Sequence, residues 1–476
     1  MTTEFKSAEK LGVPVPAHST HILRLGHSTT PADREKALQS GTCAYNYHSF
    51  PAAMLTCDLM SDGGCVAMTD VQWAALFRGD EAYGRNHGYF AVLDAVRDVF
   101  QPKCTDKPRE DTLIKKIIVD ENSMPTEDEL RHPEAGGFVN GGYLQLSRPN
   151  FFLVPQQRAA EFLMFSAVGQ AMKTKHAGKQ CVVLSNGPSA TAKAHILDNG
   201  MNIKPVRAGD GDVDIALMEK AFVAEEPVAL VLLSLPCARS AGHCLTMANL
   251  REVYALAHKH NTPVVFDAHR FVFNALHILD TDPDYKGSNL RRVTADMFKL
   301  CDAFMMDTYR VANCGAFVCF RDEGMFHKQF SLPGKDVGVV MKEMQILNYG
   351  NDSYGALSGH DLLAMALGLE GLLDESAVRH AAHQAAALAA LLRERGVPGV
   401  RDGGYAVFLD MDAFFADVPV PPAGADDLRG LGLVTELVRL YGVRGSEFGP
   451  HTFGTRGAVH PNMVRLAIPH GAYAQN

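Results

Sequence analysis

No stretch of this chain is long and apolar enough to cross a bilayer, which takes roughly 18 uninterrupted apolar residues or more, so no membrane span is predicted. The opening MTTEFKSAEKLGVPVPAHST has neither the basic start nor the apolar middle of a secretory signal. A cytoplasmic protein is the expectation. Basic residues are not in excess: 45 Lys and Arg stand against 54 Asp and Glu, for a formal net charge of −9. No cationic cluster marks a groove for nucleic acid or an anionic membrane, so small molecules and protein chains are the expected partners. The ten cysteines contain no C-x-x-C pair, which argues against a zinc ribbon and a dense disulfide scaffold. They read as mostly buried, reduced thiols, with a metal site of scattered Cys and His as the minor alternative.

What is present is an ordinary soluble composition, 476 residues at 47% hydrophobic and 21% charged, enough for two or three domains. From about residue 155 helical and strand patterns alternate: QRAAEFLMFSAVGQAMK, CVVLSN, a helix near 190–199, VALVLLSLP, NLREVYALAHKH, PVVFDAHR. Apolar strands between amphipathic helices predict a mostly parallel sheet covered on both faces, with ligands beyond the strand C-terminal ends. The polar residues there, 185–186, 236–239, 267–270 and 307–310, are the candidate site. After residue 345 an Ala- and Leu-rich helix over 376–396 precedes YAVFLDMD, a second and smaller α/β domain. Residues 103–150 read as a long irregular excursion, and VPVPPAGADD at 418–427 as a Pro-rich surface loop.

Several stretches in the same order carry a resemblance: DLMSDGGCVAMTDVQWAALFRGDEAY (58–83), NLREVYALAHKHNTPVVFDAHR (249–270), DSYGALSGHDLLAMALGL (352–369), AVFLD (406–410), YGVRGSE (441–447) and VRLAIP (464–469). Together they resemble the tryptophanase and tyrosine phenol-lyase family of beta-eliminating lyases from about residue 55 to 470. The resemblance implies an aspartate-aminotransferase-like α/β fold, pyridoxal-phosphate fold type I. Residues 1–70 would join the small domain, 71–345 would form the large one with 103–150 inserted, and 346–476 the small C-terminal domain. It also implies a homodimer or dimer-based tetramer with Tyr83 approaching the site from a neighbour.

Residue by residue, the resemblance puts Gln156 and Arg158 at the cofactor phosphate, Asp267 at the pyridine nitrogen and Arg270 by the ring oxygen. Arg444 would take the substrate carboxylate, Tyr83 would protonate the leaving group, and Glu81 and Asn313 would bind a monovalent cation. Each has a plainer alternative. Asp267 can cap a loop, Arg158 can be a helix-surface cation, GDEAY can be kept for packing, and His269 can be a hydrogen-bonded core histidine.

The departures gather at the ring. Where the family carries two adjacent lysines, the second forming an imine with the cofactor, this chain reads DTYRVANCGA, and Thr308, Tyr309 or Arg310 stands at the position. Ser189 replaces the stacking aromatic and Arg239 the asparagine on the ring oxygen. None of Thr, Tyr or Arg can form the imine. No covalent pyridoxal is therefore expected, while non-covalent pyridoxal or pyridoxamine phosphate and a monovalent cation stay open. Three readings follow. In the first, the pocket is re-purposed: Arg158, Arg239, Arg270 and Arg444 bind an amino-acid-like or polyanionic substrate beside Ser189, and His269, Tyr309 and Tyr83 transfer protons, a Tyr beside Arg having a lowered pKa. The second is a lysine-free enzyme on an aromatic or other amino acid, and the third a non-catalytic binding or regulatory relative.

Overall fold

The apolar runs between amphipathic helices fold as strands. In chain order they are Phe151–Val154 (β1), Cys181–Ser185 (β2), Met201–Pro205 (β3), Val228–Ser234 (β4), Val264–Asp267 (β5), Ala303–Asp307 (β6) and Ala316–Phe320 (β7). They make one seven-stranded sheet in the order β1-β7-β6-β5-β4-β2-β3. Strands β2 to β6 run parallel, and β7 pairs antiparallel with β6 and β1. This computed structural model describes residues 28–81, 86–106, 136–139, 149–207, 209, 211–352, 357–419, 427–449, 452 and 462–473. Most of the 103–150 excursion, the Pro-rich loop and Tyr83 lie outside the described residues.

Side chains alternate across a strand, and here both faces of the sheet are buried. Val265, Met305 and Val318 pack under the Gln157–Lys175 helix with Leu163, Met164 and Val168. Their neighbours Phe266, Phe304 and Phe317 point the other way, into a cluster with Phe100, Phe271 and Phe298 whose ring centroids approach to 4.5 Å. Two-sided burial is why these strands read as unbroken apolar runs.

The chain divides into two compact units. One is drawn from Met68–Ala238 and His243–Val378 and holds the seven-stranded sheet; the other is drawn from Met1–Ala67, Arg239–Gly242 and Arg379–Asn476. The second unit has its own antiparallel sheet of Val400–Asp402 (β8), Ala406–Asp410 (β9), Ser446–Phe448 (β10) and Met463–Ala467 (β11), in the order β10-β11-β9-β8. Its core joins Leu38, Tyr47 and Phe50 to Val407, Leu409, Val438 and Val464. Arg34 donates to the carbonyls of Arg439 (3.1 Å) and Leu440 (2.7 Å), supplying donors that the end of the Arg429–Tyr441 helix lacks. Among the described residues no helix is long and apolar enough to cross a membrane.

Candidate active site at the strand ends

The parallel strands end in Ser185, Ser234, Asp267 and Asp307. Beyond β2 and β4, where the strand order reverses, Asn186 exchanges both amide bonds with the backbone of Ser234, at 3.1 and 2.9 Å. That lock ties the two strand ends together at the edge where open α/β sheets hold ligands.

Asp267 closes β5 and is 1% exposed. A buried carboxylate needs donors. It receives a long bond from Gln157 Nε2, 3.4 Å, and a close one from His269 Nδ1. The other ring nitrogen of His269, Nε2, faces Arg270 Nη1. A guanidinium can only donate, so Nε2 accepts and the single ring proton sits on Nδ1, toward Asp267. The His269 backbone carbonyl accepts from Arg310 Nη1.

One turn along the helix from Gln157 lies Glu161, wholly buried and unforeseen in the sequence reading. Its Oε1 accepts from Ser189 Oγ and Thr191 Oγ1, both at 3.0 Å. Burial first, then the charge of Asp267, push its pKa up to about 7, against the lowering effect of the two hydroxyls and Gln157. Glu161 Oε2 and Gln157 Oε1 are buried without hydrogen-bond partners. The sequence did carry a signal: Glu161 stands on the same helical stripe as Met164, Phe165 and Val168, a lone acid on an apolar face. Ser189 meanwhile caps the Ala190–Asp198 helix through Ala192 N, 3.0 Å.

The Gln157–Lys175 helix begins at Gln156 with no side-chain cap. Arg158 Nη1 touches Gln156 Oε1 at 3.2 Å, and both residues are exposed. Uncapped N–H groups, the positive helix end and a guanidinium are a donor set for phosphate or carboxylate.

The ring end differs. Thr308 is fully buried, its hydroxyl engaged by the Cys314 carbonyl and 3.0 Å from Met365 Sδ. Tyr309 Oη donates to the Pro155 carbonyl at 3.4 Å. Burial, then Cys314, Asp307 and Asp361, raise the Tyr309 pKa and outweigh Arg158, whereas a lowered value was expected of a Tyr beside Arg. Lys299 ends the Leu290–Phe298 helix as an exposed partner of Asp296, 2.8 Å. The residues present therefore fit the phosphate of a pyridoxal cofactor. Thr308, Tyr309 and Arg310 offer no amine for an imine, and Ser189 offers no ring face.

Of the other candidates, Arg239 and Arg444 belong to the second unit. Glu81 pairs with His360 Nε2 at 2.9 Å. Asn313 occupies a left-handed turn, φ 55°, between β6 and β7. Arg239 lies in the turn after β4, in the short segment assigned to the second unit. In that unit Arg444 is 7% exposed and forks onto Asp58, Nε to Oδ1 at 3.1 Å and Nη2 to Oδ2 at 2.5 Å. Its remaining donor meets the carbonyls of Tyr47 and Phe50.

The family model for beta-eliminating lyases matches residues 58–473. A probable tryptophanase of Aeropyrum pernix is 27% identical over 97% of this chain and 89% of its own length. A tyrosine phenol-lyase of Pasteurella multocida is 27% identical over 94% of this chain and 86% of its own. Among solved structures, the aspartate aminotransferase of Thermotoga maritima aligns with a TM-score of 0.51 at 10% identity, over 92% of this chain and 90% of that one. The aromatic aminotransferase of Pyrococcus horikoshii gives 0.51 at 13% identity, over 92% and 93%. These structural likenesses establish an aspartate-aminotransferase-like fold.

Proposed function

Since the chain belongs to the beta-eliminating lyase family, we propose that it is an enzyme performing acid/base chemistry on an amino-acid-like or polyanionic small molecule without a lysine-linked cofactor. The observation that carries this reading is the run Asp267, His269, Arg270: a buried carboxylate orienting an imidazole whose lone pair is covered by a guanidinium.

A ligand carboxylate or phosphate meets Arg270 ion to ion and can take two parallel N–H···O bonds, which a single imidazole nitrogen cannot offer. Drawing Arg270 away uncovers His269 Nε2. That atom then takes a proton, and Asp267 stabilises the imidazolium formed. Binding the anion and freeing the base are one event. Tyr309, kept a phenol by its raised pKa, serves as a proton donor, as does Tyr83 in this reading. Gln156 and Arg158 hold a second anionic group at the helix end. A substrate carboxylate reaching Arg444 must displace Asp58; Arg239 and Ser189 complete the proposed substrate contacts, and Glu81 with Asn313 a monovalent-cation site. The chain acts as a homo-oligomer, which light scattering at micromolar concentration tests.

One observation favours a second reading. The uncapped helix start with Arg158 suits the phosphate of pyridoxal or pyridoxamine phosphate held without a covalent link, which when bound would supply an electron sink.

A thermal-shift screen of dicarboxylic and phosphorylated amino acids against their amides tests the first reading. The acids should raise Tm in the native protein and lose the effect in Arg270→Met. Equal shifts from acids and amides would contradict it, as would a lysine-linked adduct after borohydride reduction of the native protein.

A further inference from the structure

The pocket holds two buried carboxyls, Glu161 and Asp267, with one amide, Gln157, against both of them. An amide has a donor end and an acceptor end. Here the donor end, Nε2, points to Asp267, and the acceptor end, Oε1, is buried without a partner. Glu161 has an orphaned oxygen of its own. Its Oε1 accepts from two hydroxyls, as the carbonyl oxygen of a carboxylic acid does, while Oε2 is buried and has no donor. An ionised Glu161 would leave a charged, undonated oxygen beside a second carboxylate and an orphaned amide oxygen. A single proton on Oε2 removes both defects.

We infer that Glu161 is a positioning residue held as the neutral acid, its Oε2 proton donated to Gln157 Oε1, which fixes the Gln157 amide toward Asp267. The line then runs from Ser189 and Thr191 through Glu161 and Gln157 to Asp267 and His269. Turning the amide over would aim its oxygen at the Asp267 carboxylate, so the proton on Glu161 fixes which way Gln157 faces. Glu161 thereby acts on the imidazole through Asp267 and touches no substrate. The groups facing it are Asp267 from β5, with His269 and Arg270 behind, and the two hydroxyls at the start of the Ala190–Asp198 helix. The pKa of His195 on that helix is lowered chiefly by burial and then responds to Asp198 and Arg158.

Linkage gives the sign. The carboxyl titrates at 4.5 when unfolded and about 7 when folded, so the stability it lends is complete below 4.5 and is lost as pH rises through 7. The test compares urea midpoints of the full-length native protein and Glu161→Gln between pH 4.5 and 8.5. Gln keeps the carbonyl for Ser189 and Thr191 and offers an N–H to Gln157. The native protein should lose ground to the variant across this window, by on the order of 10²-fold in the folding equilibrium. Parallel curves, or a variant that fails to fold, would overturn the inference. Infrared spectra of the native protein alone give a second reading: a protonated-carboxyl band at pH 6 that vanishes above pH 8 supports it, and no such band at pH 6 overturns it. The inference rests on the base assigned to His269 only for its catalytic consequence. Both measurements read the carboxyl itself and need no substrate, so either proposal can fail alone.

Discussion

Arg270 and Arg444 are buried to the same degree, 7% exposed each, yet they sit against opposite kinds of partner. Arg444 is the register partner of Asp58 in a two-residue parallel ladder between Cys57–Asp58 and Val443–Arg444, so the two side chains leave the same face and meet as a fork. Arg270, among its contacts, sets Nη1 against Nε2 of His269. Exchanging a carboxylate for a ligand carboxylate brings Arg444 little. In the proposed reading, a ligand carboxylate at Arg270 uncovers the imidazole nitrogen that its Nη1 faces. One arginine therefore reads as a pin between the two ends of its unit, and the other as part of a working site.

The largest effect that sharpens this contrast is on stability. Arg444→Ala leaves Asp58, whose side chain is 27% exposed, without its fork and should cost about 1.5–3 kcal/mol in urea unfolding, the range for hydrogen bonds to charged groups. Asp58→Ala should cost a comparable amount. In the double variant the losses should fall short of their sum, because both singles remove one interaction. Fully additive losses would return Arg444 to the list of residues awaiting a ligand.

At the pocket the expected effect is smaller and falls on binding. Arg158→Ala should weaken inorganic phosphate or pyridoxal phosphate by about 10-fold or more in calorimetry, since hydrogen bonds to charged groups contribute about 1.5–3 kcal/mol. Folding should change little, because Arg158 is exposed. Unchanged affinity would remove the helix start from the site.

Smaller still in energy, but sharper in what it reads, is Asp267→Asn. An amide can donate to Nδ1, so the ring proton should move to Nε2, where it meets Arg270 head-on. Nitrogen NMR of the histidines should report the change of tautomer in one residue. An unaltered spectrum would mean that Asp267 does not set the state of His269.

The sheet was legible because its strands are buried on both faces and therefore apolar throughout: CVVLS, VALVLLS and VVFD needed no partner to be recognised. Three strand ends, Ser185, Asp267 and Asp307, were legible for the same reason, while for β4 the expectation fell at 236–239, past the actual end at Ser234. Glu161 was not singled out, although its acid on an apolar stripe was visible, because its importance comes from Asp267 and Ser189, which lie 106 and 28 residues away in the chain. Arg444 was legible as a two-point fork, but its partner Asp58 lies 386 residues away, and only the ladder brings them into register.

The smallest effect expected is that of restoring an amine. Thr308→Lys must place a long, charged side chain where Thr308 is fully buried against Cys314 and Met365, so it reports overpacking and charge burial more than function. Tyr309→Lys is the cleaner test. Tyr309 is part-buried and makes one side-chain hydrogen bond of 3.4 Å to Pro155, so its loss should cost only about 1 kcal/mol. The new amine arrives in a pocket where Ser189 is bound to Glu161 and the Asp267 carboxylate is engaged by His269 and Gln157. An amine alone supplies neither a stacking face nor a free partner for a ring nitrogen. Incubation with pyridoxal phosphate, borohydride reduction and peptide mass mapping should therefore show no more adduct at residue 309 than at exposed lysines such as Lys299, and no elimination from tryptophan or tyrosine. Selective labelling with recovered elimination would show instead that the lysine was all the pocket lacked.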